Sequence, residues 1–473
     1  MTKLDSNANM AAIDDLFEEA DHWQVNTGGE TIHAKRIPGK WRRYKWLGSS
    51  IYLLFFFGPY LRWGDRQAIL FDIPGRQFHL LNVTILPQDV WILSLVLLFL
   101  AMLLFMITAI AGRIWCGFFC FQTAWTDVYT LIEEKLEGTP QQRRKLDAAP
   151  YTLRKVLTKA TKHALWLLIA VLTGVSFTAW FTDVFGLWAD LFAIELPVPA
   201  IVTILLFIAG TYILAGFMRE QTCMWLCPYA RIQGAMVDET TILPAYDFRR
   251  GEPRGRIHKG ASSDDLGDCV DCNQCVAVCP PGIDIRNGQQ EGCIMCALCL
   301  DACDAVMDKL GRPRGLIRFE SLKGLEEGAH HPIYKRPRVW ITNLIILVAI
   351  SGIVYGLNSI DAIELKVLHA RQPLYVLQSD GSIQNKYTLK ILNKLAEDVA
   401  VNISATGPKE LVISTGLQVT ARHGTVTPVM VLVRVPRRNL AAESEPIMFR
   451  IDTQSQQQHF SSRRESIFIG PVK

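Results

Sequence analysis

The sequence predicts a multi-part membrane protein: an α-helical transmembrane bundle of about five spans, a cysteine-rich insertion within it, and an all-β tail. Three observations carry this. Half of the 473 residues are hydrophobic and only 20% are charged, with a positive mean hydropathy, which is too apolar for an ordinary soluble domain. All twelve cysteines fall in three tight groups: Cys116 with Cys120, Cys223 with Cys227, and eight between Cys269 and Cys303. The chain after residue 361 has no cysteine and alternates apolar with polar residues in short runs. A net charge of +4 leaves no footprint for nucleic acid, so none is expected as a partner. Asp5, Asp14, Asp15, Glu18 and Glu19 precede any apolar run, so no cleaved signal peptide is expected.

Crossing a hydrocarbon core of about 30 Å takes about 20 apolar helical residues, because the backbone must satisfy its own hydrogen bonds there. Residues 90–112, 164–182, 196–218 and 339–360 meet that requirement without one Asp, Glu, Lys or Arg. Residues 46–61 are shorter and carry Gly58-Pro59, but Trp46, Tyr60 and Trp63 resemble interfacial anchors, so this stretch is read as a further span, the first. Lys and Arg in short flanks mark the cytoplasmic side. They cluster before residue 46 (Lys35, Arg36, Lys40, Arg42, Arg43, Lys45), between the second and third spans (Lys135, Arg143, Arg144, Lys145, Arg154, Lys155, Lys159, Lys162) and before the last (Lys335, Arg336, Arg338), and are absent from 183–195. The expected organisation is a cytoplasmic segment 1–45, four helices within 46–218, a cytoplasmic segment 219–338, a fifth helix 339–360, and a tail 361–473 on the opposite face.

In that tail, Ile363-Glu364-Leu365-Lys366-Val367 and the β-branched run from Val429 to Val435 are broken by Asp380-Gly381 and Gly407-Pro408. Short β-prone runs with turn signals predict an antiparallel sandwich, suited to binding or docking.

Within 219–338, Cys269, Cys272, Cys275 and Cys279-Pro280 have the bacterial ferredoxin spacing, and Cys293, Cys296, Cys299 and Cys303 repeat it, which predicts a ferredoxin-like domain over about 262–310. Three thiolates wrap one cubic cluster, while the fourth, set on the following helix, reaches the other. Two [4Fe-4S] clusters are therefore expected, one on Cys269, Cys272, Cys275 and Cys303, the other on Cys293, Cys296, Cys299 and Cys279. Asp304 stands where proline usually follows and is expected to alter the turn after Cys303. Zinc would leave the third C-x2-C step and the duplicated C-x3 step unexplained. Disulfides would require export of a loop whose flanks are basic.

Cys116 and Cys120 follow Arg113 at the end of one span, and Cys223 and Cys227 follow Arg219 at the end of another. Each pair is spaced i, i+4, which on a continuous helix puts both thiols on one face, so four sulfurs could converge beside the ferredoxin-like domain. Thiolates select Cu(I), and Met224 adds a soft donor; a dithiol/disulfide shuttle and buried small hydrophobes are the alternatives. His163 and His330-His331 read as interfacial rather than ligating, and the four clean spans contain no histidine for haem.

The chain resembles the cytochrome c oxidase accessory protein family, called CcoG, FixG or RdxA. The resemblance covers nearly the whole chain and rests on Arg42-Arg43, Gly64-Asp65-Arg66-Gln67-Ala68 with Pro87-Gln88-Asp89, Trp115-Cys116-Gly117, Cys223 to Cys227-Pro228-Tyr229-Ala230-Arg231, and the ferredoxin run. The family usually has Cys-Pro-Gln where this chain has Cys120-Phe121-Gln122. The resemblance implies an immunoglobulin-like tail and a place in a bacterial inner membrane, with the ferredoxin domain cytoplasmic and the tail periplasmic. It also implies an oxidoreductase that reduces Cu(II) to Cu(I), with copper as substrate at Cys116, Cys120, Cys223 and Cys227. The implied partners are the lipid bilayer, a cytoplasmic electron donor, copper-handling proteins and C-type heme-copper oxidase subunits; a homodimer is left open. Competing expectations are a quinol-linked electron conduit to another acceptor and a non-redox assembly scaffold.

Overall fold

The computed structural model describes residues 34–471 except 65, 82, 86–89, 257–265, 291, 329–331, 360–361, 396, 415–416 and 456–457. The acidic N-terminal residues, Asp65, Pro87-Gln88-Asp89 and His330-His331 lie outside the described residues. The chain divides into two compact units: one holds the chain to Leu61 with Ser94–Ser351, the other Arg62–Leu93 with Gly352–Lys473.

Among the described residues, four helices are long and apolar enough to cross a membrane: Val90–Ala111, Leu153–Thr178, Val198–Met218 and Pro337–Asn358. Large apolar side chains such as Leu97, Leu100, Leu206, Leu344 and Val348 stand exposed along them, as lipid-facing helices require. The first expected span, 46–61, is not one continuous helix. Lys40–Ser49 and Tyr52–Phe57 are separate helices, joined through Ser50, whose N–H bonds to the third and fourth residues back, and Ile51, whose N–H bonds to the third, and the path ends in a 3-10 turn at Gly58–Tyr60 because Pro59 has no N–H to continue it. The helix expected from residue 164 starts earlier, at Leu153, and its added turns carry Lys155, Lys159 and Lys162.

Those lysines extend the helix because they have partners. Helix Phe121–Glu137 presents Asp127, Glu133, Glu134 and Glu137 at turn spacing, and six of the basic residues read as membrane flanks, Arg36, Arg42, Lys45, Arg143, Lys159 and Lys162, converge on it with Arg219. Asp127 pairs with Lys45 at 2.8 Å and with Arg42 and Arg36 at 3.4 Å. Glu133 pairs with Arg219 at 2.7 Å and Arg143 at 3.2 Å, and Glu137 with Lys159 and Lys162 at 2.9 Å. Burial opposes ionisation of Asp127, but Lys45, Arg42 and Arg36 hold its carboxyl below the ordinary range. Buried charges persist only when paired, so this network fixes helix Lys40–Ser49 and Arg219 against one another.

The second unit contains the expected sandwich. One antiparallel sheet runs Val412–Ile413, Val426–Pro436, Ser382–Asn393, Ile363–His369, with Val376–Leu377 on the edge of Ser382–Asn393; the other runs Gln418–Ala421, Val399–Thr406, Ser444–Ser455, Gln458–Ile469. Alternate residues face inward, and Leu365, Tyr387, Leu389, Val431, Phe449 and Phe468 are fully buried. Asp380-Gly381 turns the chain, with Gly381 at φ +79° and Asp380 accepting from the Ser382 N–H at 2.9 Å. The Tyr387 hydroxyl donates to the Ile467 carbonyl at 2.8 Å, tying the sheets together. The sequence grouped residues 62–89 with the membrane helices; instead the strands Ile69–Asp72, Gln77–Leu80 and Val83–Ile85 form a small sheet whose Gln77 amide donates to the Gly424 carbonyl.

Asp127→Ala leaves Lys45 and Arg42 buried without their counter-charge and is expected to cost about 3–5 kcal/mol, seen as a lower thermal midpoint and lower yield of the detergent-solubilised chain. Tyr387→Phe, which removes one hydrogen bond in the other unit, should cost only about 1 kcal/mol.

Candidate metal and redox centre

The two cysteine loops are built alike. In each, the second and fourth residues after the first cysteine are left-handed although none is glycine: Asp271 (φ +53°) and Asn273 (φ +51°) in the first, Met295 (φ +55°) and Ala297 (φ +60°) in the second. These reversals curl the backbone so that successive N–H groups turn inward, the geometry that stabilises anionic sulfur. The Met295 N–H donates to Cys293 Sγ at 3.4 Å. Arg286 clamps the first loop by donating to Asp271 and Asn273, both at 2.6 Å, and to Asp284 at 2.8 Å.

The structure brings the cysteines together in two sets. Cys269, Cys272, Cys275 and Cys303 line one cavity with Tyr246 and Leu316. Cys279, Cys293, Cys296 and Cys299 line a second with Ile283 and Ile294, and Cys275 touches it as well. The fourth ligands differ. Cys303 lies within the continuous helix Leu298–Leu310, and Asp304 does not alter a turn there; its carboxylate accepts from the Gly315 N–H at 3.0 Å. Cys279 follows the short helix Gln274–Ala277 and sits in a turn closed by Gly282 N–H to Cys279 O at 3.0 Å, not on a following helix, because Pro280 prevents one.

Burial pushes these thiols up. Cys275 and Cys293 reach about 12, the former partly restrained by Arg286 and the latter by Arg113, and Cys272, Cys279, Cys296, Cys299 and Cys303 are raised as well. Sulfurs this buried become thiolates only against a bound cation. Two apolar enclosures, four thiols each, with backbone donors aimed at sulfur, fit a four-iron cluster.

The membrane-edge pairs are not on continuous helix faces. Cys116 lies in the short helix Ile114–Phe118, whereas Cys120 is the extended N-cap of Phe121–Glu137, at φ −69°, ψ 131°. Cys223 lies in the π-helical turn Thr222–Leu226, and Cys227 is the extended N-cap of Pro228–Met236. The i, i+4 expectation fails because a new helix begins just after each second cysteine. At Cys227 the missing N–H of Pro228 explains the break. At Cys120, Phe121 takes that place, its ring stacked on Trp125 at 4.0 Å, while Tyr52 donates to the Phe119 carbonyl at 2.6 Å.

The two pairs nevertheless meet. Gln122 donates to the carbonyls of Leu214 at 2.8 Å and Arg219 at 3.0 Å, tying the first pair to the backbone just ahead of the second. Arg219 is left-handed at φ +46°, a strained conformation for a non-glycine residue, held by its bond to Glu133. Cys116 Sγ donates to Gln233 Oε1 at 3.2 Å. Burial pushes Cys116 upward, with Cys120, Cys223 and Cys227 adding to it, and carries Cys223 to about 12, with Cys120, Glu220 and Cys227 adding. Among the described residues, no three His, Cys, Asp or Glu side chains stand at single-ion spacing, at these four cysteines or at the two quartets. His163 bonds to Tyr212 at 2.9 Å.

Both pairs abut the second cysteine loop. A Cβ on Gly117 would lie 2.8 Å from the Ile294 carbonyl oxygen and 2.9 Å from Cys296 N and Cα, and one on Gly292 would lie 3.3 Å from Met224 Cε. Only glycine lets the Cys116 turn approach so closely. Asp301, between Cys299 and Cys303, caps helix Lys40–Ser49 by accepting from the N–H groups of Trp41 at 3.1 Å and Arg42 at 2.9 Å. Gln122, Gln233 and Asp301 were not identified from the sequence; only the glutamine following Cys120-Phe121 lay inside a quoted motif.

Because the thiolate is the reactive form, alkylation of Cys223 by iodoacetamide in metal-free, reduced protein should climb about tenfold per unit between about pH 8 and 10, with no plateau near 9. Mass spectrometry in a Cys116→Ser/Cys120→Ser/Cys227→Ser background checks this.

Comparisons with known proteins agree with this architecture. A 4Fe-4S dicluster domain profile matches residues 218–322, a 4Fe-4S binding domain profile matches residues 93–138, and a profile for the IG-like fold at the C-terminus of FixG matches residues 353–471. The nitrogen fixation protein FixG of Rhizobium meliloti is 38% identical over 462 residues, 88% of each chain. Proteins RdxA and RdxB of Cereibacter sphaeroides are 40% and 41% identical, covering 80% and 81% of this chain and 82% and 84% of theirs. A solved FixG-related protein from Vibrio parahaemolyticus aligns with 24% of this chain and all of its own at 21% identity, with a TM-score of 0.22, a likeness too slight to bear on the fold. The chain belongs to the FixG/RdxA family and is a membrane-bound iron-sulfur electron-transfer protein.

Proposed function

We propose that the protein reduces Cu(II) to Cu(I) at its membrane-edge thiols for assembly of a C-type heme-copper oxidase. Cys269, Cys272, Cys275 and Cys303 would hold one four-iron cluster, and Cys293, Cys296, Cys299 and Cys279 the other; when bound, each supplies one-electron transfer. Cys116, Cys120, Cys223 and Cys227 receive the copper, with Met224 nearby. Soft sulfur ligands favour Cu(I) over Cu(II), so the site assists a one-electron reduction and must then pass its product to a copper-handling protein.

The observation that carries the reading is the close seating of the Cys116-Gly117 turn on the Cys296 backbone, which sets the thiols beside the second quartet. Arg113, just past helix Val90–Ala111, and Arg42 and Lys45, on helix Lys40–Ser49, bring positive charge to that quartet. Such charge favours the more negative, reduced state of a metal centre. The basic flanks support a cytoplasmic position for residues 219–338 and a periplasmic one for the tail, where an immunoglobulin-like surface is available to oxidase subunits.

The test is anaerobic purification of wild type and a Cys116→Ser/Cys227→Ser variant, with iron and copper counts and a Cu(I)-specific chelator assay after dithionite reduction, removal of all excess dithionite by desalting, and addition of Cu(II). The variant should keep its iron and its low-temperature EPR signals while Cu(I) production falls more than about tenfold, a loss of roughly 1.4 kcal/mol or more in transition-state terms. Equal Cu(I) yields from the two proteins would sink the assignment.

A further inference from the structure

Beside the second cysteine loop lies a cleft with no part in the copper chemistry. Its volume is about 170 Å³, and Arg113, Gly234, Leu243, Ile285, Gln289 and Cys293 are among the residues that line it. Arg113 stands just past the end of the long apolar helix Val90–Ala111, so the cleft is at the membrane edge, and exposed Gly234 marks its mouth. Val237, Leu243, Pro244, Ile285 and Met295 give it an apolar side, and Arg113, Gln289, Gln290 and Cys293 a polar one. One wall atom stands out: Gln289 Nε2 is buried and has no hydrogen-bond partner among the described residues, whereas the neighbouring Gln290 amide is taken by the Asp284 carbonyl at 2.7 Å.

We propose that this cleft binds the ring of a membrane quinone. A buried, unpaired donor is costly to leave without a partner, and a ligand carbonyl oxygen would supply one. The amide nitrogen and the Arg113 guanidinium offer donors to a carbonyl oxygen. Pockets for drug-sized ligands run to roughly 300–1,000 Å³, so this smaller space suits one substituted ring rather than a nucleotide or a three-ring flavin. Apolar walls suit a lipid-borne ring better than a phosphate. Cys293 gives the cleft its purpose: a redox carrier seated there rests against a thiol of the second quartet. The donor would be the reduced form, a quinol, whose oxidation to the quinone releases two electrons, one for each of the two clusters the quartets would hold, and two protons to solvent at the cleft mouth. The inference rests on the iron reading of Cys293 and is independent of the copper step.

The experiment uses the full-length, iron-loaded protein in detergent under anaerobic conditions with a photoreactive azidoquinone, and maps the crosslink by mass spectrometry. Labelling should fall on the peptides containing Gly234 or Gln289 and be competed by a short-chain ubiquinone but not by FMN. Gln289→Leu should weaken labelling roughly three- to tenfold, as for one lost hydrogen bond. Gly234→Leu should abolish it by filling the cleft; a Cβ there meets nothing nearer than Arg113 Nη2 at 3.8 Å, so the substitution is accommodated and decides the matter even where Gln289→Leu loses iron. Labelling elsewhere, labelling unchanged in Gly234→Leu, or competition by FMN instead of quinone would each overturn the proposal. Failure of Cu(I) production with labelling retained would count against the copper reading alone.

Discussion

A row of buried carboxylates on one helix holds the membrane part of this protein in register. Asp127, Glu133 and Glu137 take up basic side chains from helix Lys40–Ser49, from the connection after residue 137, from the start of helix Leu153–Thr178 and from Arg219. Each member is costly to bury alone and tolerable only in company, so the elements that bring these charges cannot drift apart independently. Cys120 caps the helix that bears the carboxylates, and Arg219 stands shortly before Cys223. The ion network therefore determines where both thiol pairs sit, although no cysteine belongs to it.

The ferredoxin-like domain is joined to this frame by backbone contacts that demand small residues and a single acid. Gly117 admits the Cys296 backbone, and Gly39 leaves room for Asp301 as it caps the following helix. Gly112, at φ +53°, ends the helix Val90–Ala111 where a side chain would strike Leu243 and Met295. Positive charge then reaches both quartets from outside their loops, Arg286 at the first and Arg113, Arg42 and Lys45 at the second. The protein thus supplies two dry thiol cages with counter-charge and fixed donors before any metal is considered.

Local spacing made part of this plain. The cysteine octet, the four long apolar helices and the alternating strands at Ile363–His369 and Val426–Pro436 are periodic or regularly spaced, and period is what a single sequence displays. The parts that were not legible depend on partners far apart in the chain. The basic flanks read as topology markers, and nothing in their own spacing announced Asp127, Glu133 or Glu137 as their counter-ions. The helix break at Cys120 was hidden because Phe121 replaces the proline that signals it at Cys227. The left-handed residues of the cysteine loops are Asp, Asn, Met and Ala, so the usual glycine marker was missing. Residues 46–61 were apolar enough to suggest a crossing, but the tight join at Ser50 and Ile51 divides them.

The two fourth cysteines stand on different supports. Cys303 rides in mid-helix on Leu298–Leu310, its neighbour Asp304 bonded to Gly315, while Cys279 sits in a turn between Ala277 and Pro280. The set completed from a turn is the one whose Cys296 backbone meets Gly117, beside Cys116. Displacing helix Leu298–Leu310 would move Cys299 and Cys303 together and disturb both sets at once, whereas a change in the turn at Cys279 would reach only the set nearest the membrane-edge thiols.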